Sequence, residues 1–131
     1  MGVVRVLVVD DEISNSRLAE RILRGAGYAV TAANSGDEAI QHLDAQGAFD
    51  VYLLDVMMPA MRGTELADVI RHRYPHARIL YFTAYSHALF TGARVLKEHE
   101  AFVQKPVSKQ ELLEAVSLLA FNDLQGPRDR A

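Results

Sequence analysis

The chain has 131 residues, with 14 Lys and Arg against 17 Asp and Glu, and its formal net charge is −3. This length predicts one domain that buries its own core, and the acidic balance argues against a nucleic-acid-binding surface. The absence of cysteine excludes disulfides and thiolate metal sites. Because no apolar run approaches the ~20 residues that span a bilayer and no signal peptide is recognisable, we expect a cytoplasmic protein.

The first third of the chain alternates between two hydrophobic periods. Residues 3–9 form a nearly continuous apolar, β-branched run, which predicts a strand buried on both faces. Apolar residues then recur at helical spacing until two closely spaced glycines end that helix. Residues 28–33 predict a second strand. Ser35 and Glu38 fit a capping box that begins the next helix.

The middle of the chain predicts another strand followed by a helix. Residues 51–54 form an apolar strand that ends at Asp55. Helical spacing resumes at Gly63 and is closed before Pro75, because proline cannot continue a helix. Arg71 and its two basic neighbours fit the polar face and last turn of this helix.

The remaining segments repeat the alternation of strand and helix. Residues 78–82 predict a fourth strand and residues 101–104 a short fifth one. Ser108 and Glu111 form a capping box for a last helix.

Five alternations of strand and helix favour a doubly wound α/β domain. Such a domain has a parallel five-stranded sheet, right-handed crossovers and helices on both faces. We predict a single domain over residues 3–122. Residues 123–131 show no periodicity and fit a flexible tail or linker.

Polar residues stand directly after four of the predicted strands. They are Asp10-Asp11, Asp55, Thr83 and Lys105. In an open α/β sheet, ligands bind outside the carboxyl ends of the strands, and parallel pairing brings these ends to one edge. Three carboxylates gathered there would repel each other unless a hard divalent cation such as Mg²⁺ joined them. One carboxylate could then act as a nucleophile toward phosphorus, with Lys105 and Thr83 contacting the phosphoryl oxygens.

The sequence around these residues resembles a known family, the receiver domains of two-component response regulators. The matching segments are Val8-Val9-Asp10-Asp11-Glu12, Leu54-Asp55-Val56-Met57-Met58-Pro59 with Gly63, Thr83-Ala84, and Phe102-Val103-Gln104-Lys105-Pro106. The resemblance covers nearly the whole chain, with the segments in the family's order and spacing. It implies a flavodoxin-like (βα)5 fold.

The resemblance also implies an acceptor and a metal site. Asp55 would be the phosphoacceptor. Asp11 would bind Mg²⁺, or Mn²⁺, directly, and Asp10 would bind it through water. Asp55 and the backbone carbonyl of Met57 would complete the protein ligands, and a carbonyl serves whatever the side chain.

Four further residues take roles from the same resemblance. Thr83 would be the switch hydroxyl that moves onto the phosphoryl group, and Phe102 the aromatic ring that changes rotamer with it. Lys105 would be the phosphate-binding cation. The peptide bond that precedes Pro106 is expected to be cis.

As a function, the resemblance implies a phosphorylation-dependent signalling switch. A sensor histidine kinase, a phosphotransfer protein or a small phosphodonor would supply the phosphoryl group, and a downstream effector protein or domain would sense the change. The domain would promote its own phosphorylation and dephosphorylation without acting as a conventional enzyme on an external substrate. The resemblance implies no direct nucleic-acid contact and leaves a phosphorylation-dependent dimer open.

Other functions are weighed against this one. An aspartyl-phosphate phosphatase needs a second Asp two residues after the nucleophile, where this chain has Met57. A nucleotide-binding domain needs a glycine-rich loop after the first strand, where this chain has Asp10-Asp11. A phosphorylation-independent binding module on the same fold stays open.

The stretch of residues 84–100 departs from the family pattern. Glu98 and His99 stand where receiver domains usually carry Gly-Ala, and Gly92 falls inside the expected fourth helix. An internal glycine costs a helix about 1 kcal/mol relative to alanine. We therefore expect this stretch to be the most irregular part of the fold.

Overall fold

The computed structural model describes residues 2–84 and 99–122. The five strands are β1 (Arg5–Val9), β2 (Ala29–Ala33), β3 (Val51–Asp55), β4 (Ile79–Thr83) and β5 (Glu100–Gln104). The helices in these ranges are α1 (Ile13–Gly25), α2 (Gly36–Gln46), α3 (Gly63–Arg73) and α4 (Lys109–Ser117), with a π-helical turn at Leu118–Asn122 after α4.

The strands form one parallel sheet in the order β2-β1-β3-β4-β5. This flavodoxin-like order confirms the predicted doubly wound fold. The register places Val9 beside Ala33, Asp55 beside Phe82 and Thr83 beside Gln104. The carboxyl ends of all five strands therefore lie along one edge of the sheet.

Helices cover both faces of the sheet, as predicted. On one face, α2 and α3 pack buried apolar side chains such as Leu43, Leu66 and Ile70 against the strands. On the other face, α1 contributes Leu23 and α4 contributes Val116 to a second core cluster. Because the central strands are buried on both faces, their sequences are continuously apolar and not alternating.

Several element boundaries differ from the sequence prediction by one or two residues. β1 begins at Arg5 because β2 pairs with it only from that position, and Val3 is 60% exposed. The capping box of α4 is confirmed, with Ser108 and Glu111 bonding each other's backbone N–H groups. At α2, Ser35 accepts from the N–H of Glu38, but Glu38 accepts from the N–H of Asn34 and not of Ser35.

Arg71 lies in the last turn of α3, as predicted, but it also makes a contact that the sequence did not indicate. Its Nε lies 3.1 Å from Oε2 of Glu100, whose side chain is fully buried at the start of β5. The hydroxyl of Tyr81 donates to the same oxygen at 3.3 Å. We call these three residues the Glu100 cluster. Its members are distant in sequence, so local periodicity carries no sign of the contact.

Two sequence expectations fall outside the described residues. They are the irregular stretch between Ala84 and His99 and the tail of residues 123–131. At the boundary, His99 has a left-handed backbone with φ of 66°. Within residues 2–84 and 99–122, no helix combines the length and apolarity needed to cross a membrane.

Candidate functional site

The three aspartates that follow β1 and β3 lie together at the carboxyl edge of the sheet. Carboxylate oxygens of Asp10, Asp11 and Asp55 all lie within 4.8 Å of one another. Lys105, which follows β5, places its Nζ 2.9 Å from Asp10 Oδ2 and 3.6 Å from Asp55 Oδ1. We call these four residues the acidic site. It has three carboxylates against one ammonium group.

Asp10 is held on both of its oxygens. It is fully buried, and its Oδ1 accepts from the N–H of Glu12 at 2.9 Å while Oδ2 accepts from Lys105. The first of these bonds closes a turn directly before α1, whose N-cap residue Glu12 has no side-chain capping hydrogen bond. Asp11 is exposed and faces the cavity in front of the sheet.

Asp55 ends β3 and is only 5% exposed. Burial and the negative charge of Asp10 raise its pKa to about 7, with a smaller contribution from Asp11 and against the lowering effect of Lys105. The raised pKa means that the positive charge of Lys105 does not fully offset the burial of Asp55 and the negative charges of its aspartate neighbours. The geometry therefore suits a divalent cation with oxygen ligands, which would remove the remaining repulsion.

The open side of the site is a cavity of about 370 Å³. It is lined by Asp11, Glu12, Asp55, Met57, Ala84 and Lys105. The backbone beyond Asp55 turns sharply against the start of α3, where the N–H of Gly63 donates to Val56 O at 2.9 Å. A Cβ at position 63 would overlap the carbonyl of Asp55. Glycine is required here because the backbones approach closely.

Lys105 makes two contacts besides those with its carboxylate partners. Its backbone N–H donates to Thr83 O at 2.7 Å, which continues the pairing of β5 with β4. Its Nζ lies 4.6 Å from the ring centre of Phe82, at cation–π distance. The Lys105-Pro106 peptide bond is cis.

Thr83 and Phe102 lie on the same face of neighbouring strands. Thr83 ends β4, is fully buried and pairs in register with Gln104, two residues after Phe102. Phe102 is half-buried against the core beside Tyr81, its register partner. The structure therefore places Thr83 at the same edge of the sheet as the acidic site and Phe102 on the neighbouring strand.

Sequence reasoning missed Asn34 and Ser16. Asn34 follows β2 directly, and its side-chain amide donates to Asp10 O at 2.8 Å and to Ser16 Oγ at 2.9 Å. A single asparagine after a strand is typical of an ordinary turn, which hides this role in the sequence. The only available signal was its position at the carboxyl end of a strand, the same position as Asp10 and Asp55.

Comparison with known proteins places this fold and site in a family. The model of the response regulator receiver domain matches residues 6–117. The chain is 34% identical over 125 residues to the response regulator protein FleR of Pseudomonas aeruginosa, which is 95% of this chain and 26% of FleR. It is 41% identical over 96 residues to the transcriptional regulatory protein ZraR of Escherichia coli, which is 69% of this chain and 22% of ZraR. The chain thus spans about a quarter of the length of these relatives.

Solved structures agree with the sequence relatives. The chemotaxis protein CheY4 of Vibrio cholerae superposes with a TM-score of 0.77 at 28% identity, over 90% of this chain and 99% of CheY4. The response regulator TrrA of Thermotoga maritima, solved in complex with Mg²⁺-BeF, superposes with a TM-score of 0.74 at 33% identity, over 88% of this chain and 98% of TrrA. With the acidic site at the carboxyl edge of its sheet, this chain belongs to the receiver-domain family of response regulators.

Proposed function

We propose that this chain is a phosphorylation-dependent signalling switch whose phosphoacceptor is Asp55. The observation that carries the proposal is the position of this carboxylate, nearly buried beside Lys105 and open to a cavity that also contains Asp11. A nucleophilic carboxylate needs a nearby positive charge for the phosphoryl oxygens, and Lys105 supplies one. We take residues 3–122 as the receiver domain.

The oxygen atoms around Asp55 fit a divalent cation. Asp11, Asp55 and the backbone carbonyl of Met57 would hold Mg²⁺ or Mn²⁺ directly, and such an ion supplies positive charge that offsets the carboxylates and the phosphoryl oxygens. Both oxygens of Asp10 already accept hydrogen bonds, from Glu12 and Lys105. This supports a contact of Asp10 with the metal through water.

Phosphoryl transfer to Asp55 exchanges one bond for another. A carboxylate oxygen forms a P–O bond while the P–N bond of a phosphohistidine donor breaks, and the electron pair of that bond returns to the imidazole nitrogen. The attacking oxygen must be unprotonated. The ammonium of Lys105 lowers the pKa of Asp55 against the effect of burial, so it favours the reactive form.

Thr83 and Phe102 are the proposed switch pair. The Thr83 side chain would hydrogen-bond the phosphoryl group, a contact made in the phosphorylated state alone. Because Phe102 lies on the same face two register positions away, movement of Thr83 would change the space that the ring can occupy. The changed surface along β5 would then be recognised by a partner.

The partners follow from the family. A sensor histidine kinase or phosphotransfer protein would donate the phosphoryl group, and an effector protein or domain would respond, with phosphorylation-dependent dimerisation as one form of response. FleR and ZraR, of which this chain spans about a quarter, are named as regulators. With a net charge of −3, the receiver domain itself is not expected to contact nucleic acid. The comparisons give no support to a phosphatase or to a phosphorylation-independent binding module.

Intact-mass measurement tests the proposal directly. Incubation with acetyl phosphate and Mg²⁺ should add one phosphoryl group to the wild type and none to Asp55→Asn. Asp37→Asn, which changes an exposed aspartate in the first turn of α2, is the matched control and should be phosphorylated like the wild type. Phosphate on the Asp55→Asn protein would show that another residue is the acceptor.

A further inference from the structure

The side chain of Asn34 extends the hydrogen-bond ladder between β1 and β2. The last register pair of these strands is Val9 with Ala33, and the N–H of Asp10 still donates to Ala33 O at 3.1 Å. The carbonyl of Asp10 then accepts from Asn34 Nδ2 at 2.8 Å. A side-chain amide therefore holds the backbone immediately before Asp11.

The same amide group is tied to α1. Its nitrogen donates a second hydrogen bond to Ser16 Oγ at 2.9 Å, and the hydroxyl of Ser16 donates onward to Ile13 O at 3.1 Å. Ser16 is buried, so this chain of bonds is shielded from water. A carbonyl can only accept, so the contact with Asp10 also fixes which end of the Asn34 amide faces the loop.

Asn34 is anchored to α2 from the opposite side. Its backbone N–H donates to Glu38 Oε1 at 2.8 Å, and Ser35 caps the helix by accepting from the N–H of Glu38. Asn34 therefore joins the loop after β1 to α1 through its side chain and is itself held to α2 through its backbone N–H. A residue with these hydrogen bonds restricts the movement of that loop relative to α1 and α2.

We propose that Asn34 is a positioning residue for the acidic site, acting through the Asp10-Asp11 peptide. A peptide unit is planar, so holding the carbonyl of Asp10 also orients the N–H of Asp11 and the direction in which its side chain leaves. Asp11 is exposed, so its backbone largely determines where its carboxylate meets a cation. The inference rests on the proposed function, because it assigns Asn34 a role in the same metal-assisted site.

Calorimetric titration with MgCl₂ measures this role without any phosphorylation. Asn34→Ala should weaken Mg²⁺ binding about tenfold, the size found when a residue that orients a metal ligand is removed. Ser35→Ala is the matched control, since it alters the same loop and removes the α2 cap without touching Asp10. Its Mg²⁺ affinity should stay within about twofold of the wild type. Urea unfolding of both variants separates lost affinity from lost stability.

Two further readouts test the positioning itself. The carbonyl ¹³C resonance of Asp10 should move in Asn34→Ala and remain in place in Ser35→Ala. In acetyl phosphate reactions, the Mg²⁺ concentration for half-maximal rate should rise in Asn34→Ala while the rate at saturating Mg²⁺ stays near that of the wild type. Ser16→Ala, which removes one acceptor of the amide and keeps its bond to Asp10, should show a smaller loss of affinity.

The outcomes separate this inference from the proposed function. If the wild type accepts no phosphate, the proposed function fails, and the calorimetric comparison still judges Asn34. Equal loss of Mg²⁺ affinity in Asn34→Ala and Ser35→Ala would reduce Asn34 to a structural role and overturn the inference. Should Asn34→Ala not fold, Ser16→Ala decides, and wild-type Mg²⁺ affinity in that variant would overturn it.

Discussion

In the described part of the chain, two groups of acidic side chains lie near opposite ends of the β4–β5 pair, and each contains a fully buried carboxylate. In the Glu100 cluster, a carboxylate contacts the guanidinium of Arg71 and the hydroxyl of Tyr81. In the acidic site, three carboxylates lie within 4.8 Å of one another, and the ammonium of Lys105 contacts those of Asp10 and Asp55. The two regions are separated by the length of β5, about 16 Å for five residues.

The difference shows how a carboxylate suits a structural role in one place and the proposed chemical role in the other. Arg71 supplies the positive charge that balances Glu100 within the chain, so we expect the Glu100 cluster to stabilise the fold. The acidic site keeps an excess of negative charge, and the pKa of Asp55 rises to about 7 as a result. Such a site would be completed from outside, by the cation and phosphoryl group proposed above. Four predictions test the contrast.

The largest effect should come from breaking the Glu100 cluster. Arg71→Ala leaves a fully buried carboxylate without its guanidinium, so we expect the free energy of unfolding to fall by about 3 kcal/mol. Arg73→Ala is the control, because Arg73 pairs with Asp44 at 2.7 Å on the surface and its loss should cost only about 0.5 kcal/mol. Urea unfolding measures both variants. Similar losses for the two would show that burial does not set the cost.

Removing the negative charge of Asp55 should instead raise the free energy of unfolding at high pH. The pKa of Asp55 is raised from 3.8 to about 7, so between these values the folded protein keeps a proton that the unfolded chain releases. The contribution of this group to stability is therefore complete below about pH 4, declines as the pH rises to about 7, and stays lower above it. In the presence of a chelator, Asp55→Asn should stabilise the protein at pH 8.

The expected gain is on the order of 2 kcal/mol, because three pKa units correspond to a ceiling of about 4 kcal/mol and local relaxation lowers it. At pH 4 the gain should vanish. Glu100→Gln should instead lose stability at pH 8, since it removes the partner of Arg71. Thermal unfolding between pH 4 and pH 8 measures both variants. If Asp55→Asn and Glu100→Gln both destabilised the protein at pH 8, the proposed difference between the acidic site and the Glu100 cluster would be contradicted.

Metal binding should depend unequally on the two adjacent aspartates. Asp11→Asn removes a proposed direct ligand, so Mg²⁺ affinity should fall by at least about tenfold. Asp10→Asn should have a smaller effect, because both Asp10 oxygens are already engaged by Glu12 and Lys105. Calorimetric titration compares the two variants. Equal weakening would contradict the different roles proposed for these residues.

Much of the acidic site could be predicted because the position of its residues after strands can be read from the sequence. Asp10, Asp55 and Thr83 each follow an apolar run directly and Lys105 follows β5, and parallel pairing brings the ends of such strands together. The strand boundaries were less predictable. The apolar run extends to Val3, but β1 begins at Arg5 because a strand needs a hydrogen-bonding neighbour as well as apolar residues.

The Glu100 cluster and the Asn34 contact could not be predicted in this way. Arg71 and Glu100 are 29 residues apart, and Asn34 bonds to the backbone of Asp10 from 24 residues away. Each pairing is created by how a helix or strand packs in three dimensions, and no spacing rule encodes it. Arg71 was predicted on the polar face and in the last turn of a helix, and it lies in the last turn of α3. Its side chain crosses to β5.

The smallest expected change in stability comes from Thr83→Ala, which tests whether the acidic site communicates with the Glu100 cluster. Thr83 and Phe102 occupy the face that links the acidic site to Tyr81 of the Glu100 cluster. Thr83→Ala should cost about 1 kcal/mol for its buried hydroxyl and leave the phosphorylation of Asp55 intact.

In the wild type, phosphorylation should shift the NMR resonances of both Phe102 and Tyr81. In Thr83→Ala these shifts should be largely lost, because the contact that distinguishes the two states is missing. Thr31→Ala, on β2 at the far edge of the sheet, is the control and should keep them. If Tyr81 responded equally in Thr83→Ala and in the wild type, the two regions would communicate by a route other than Thr83.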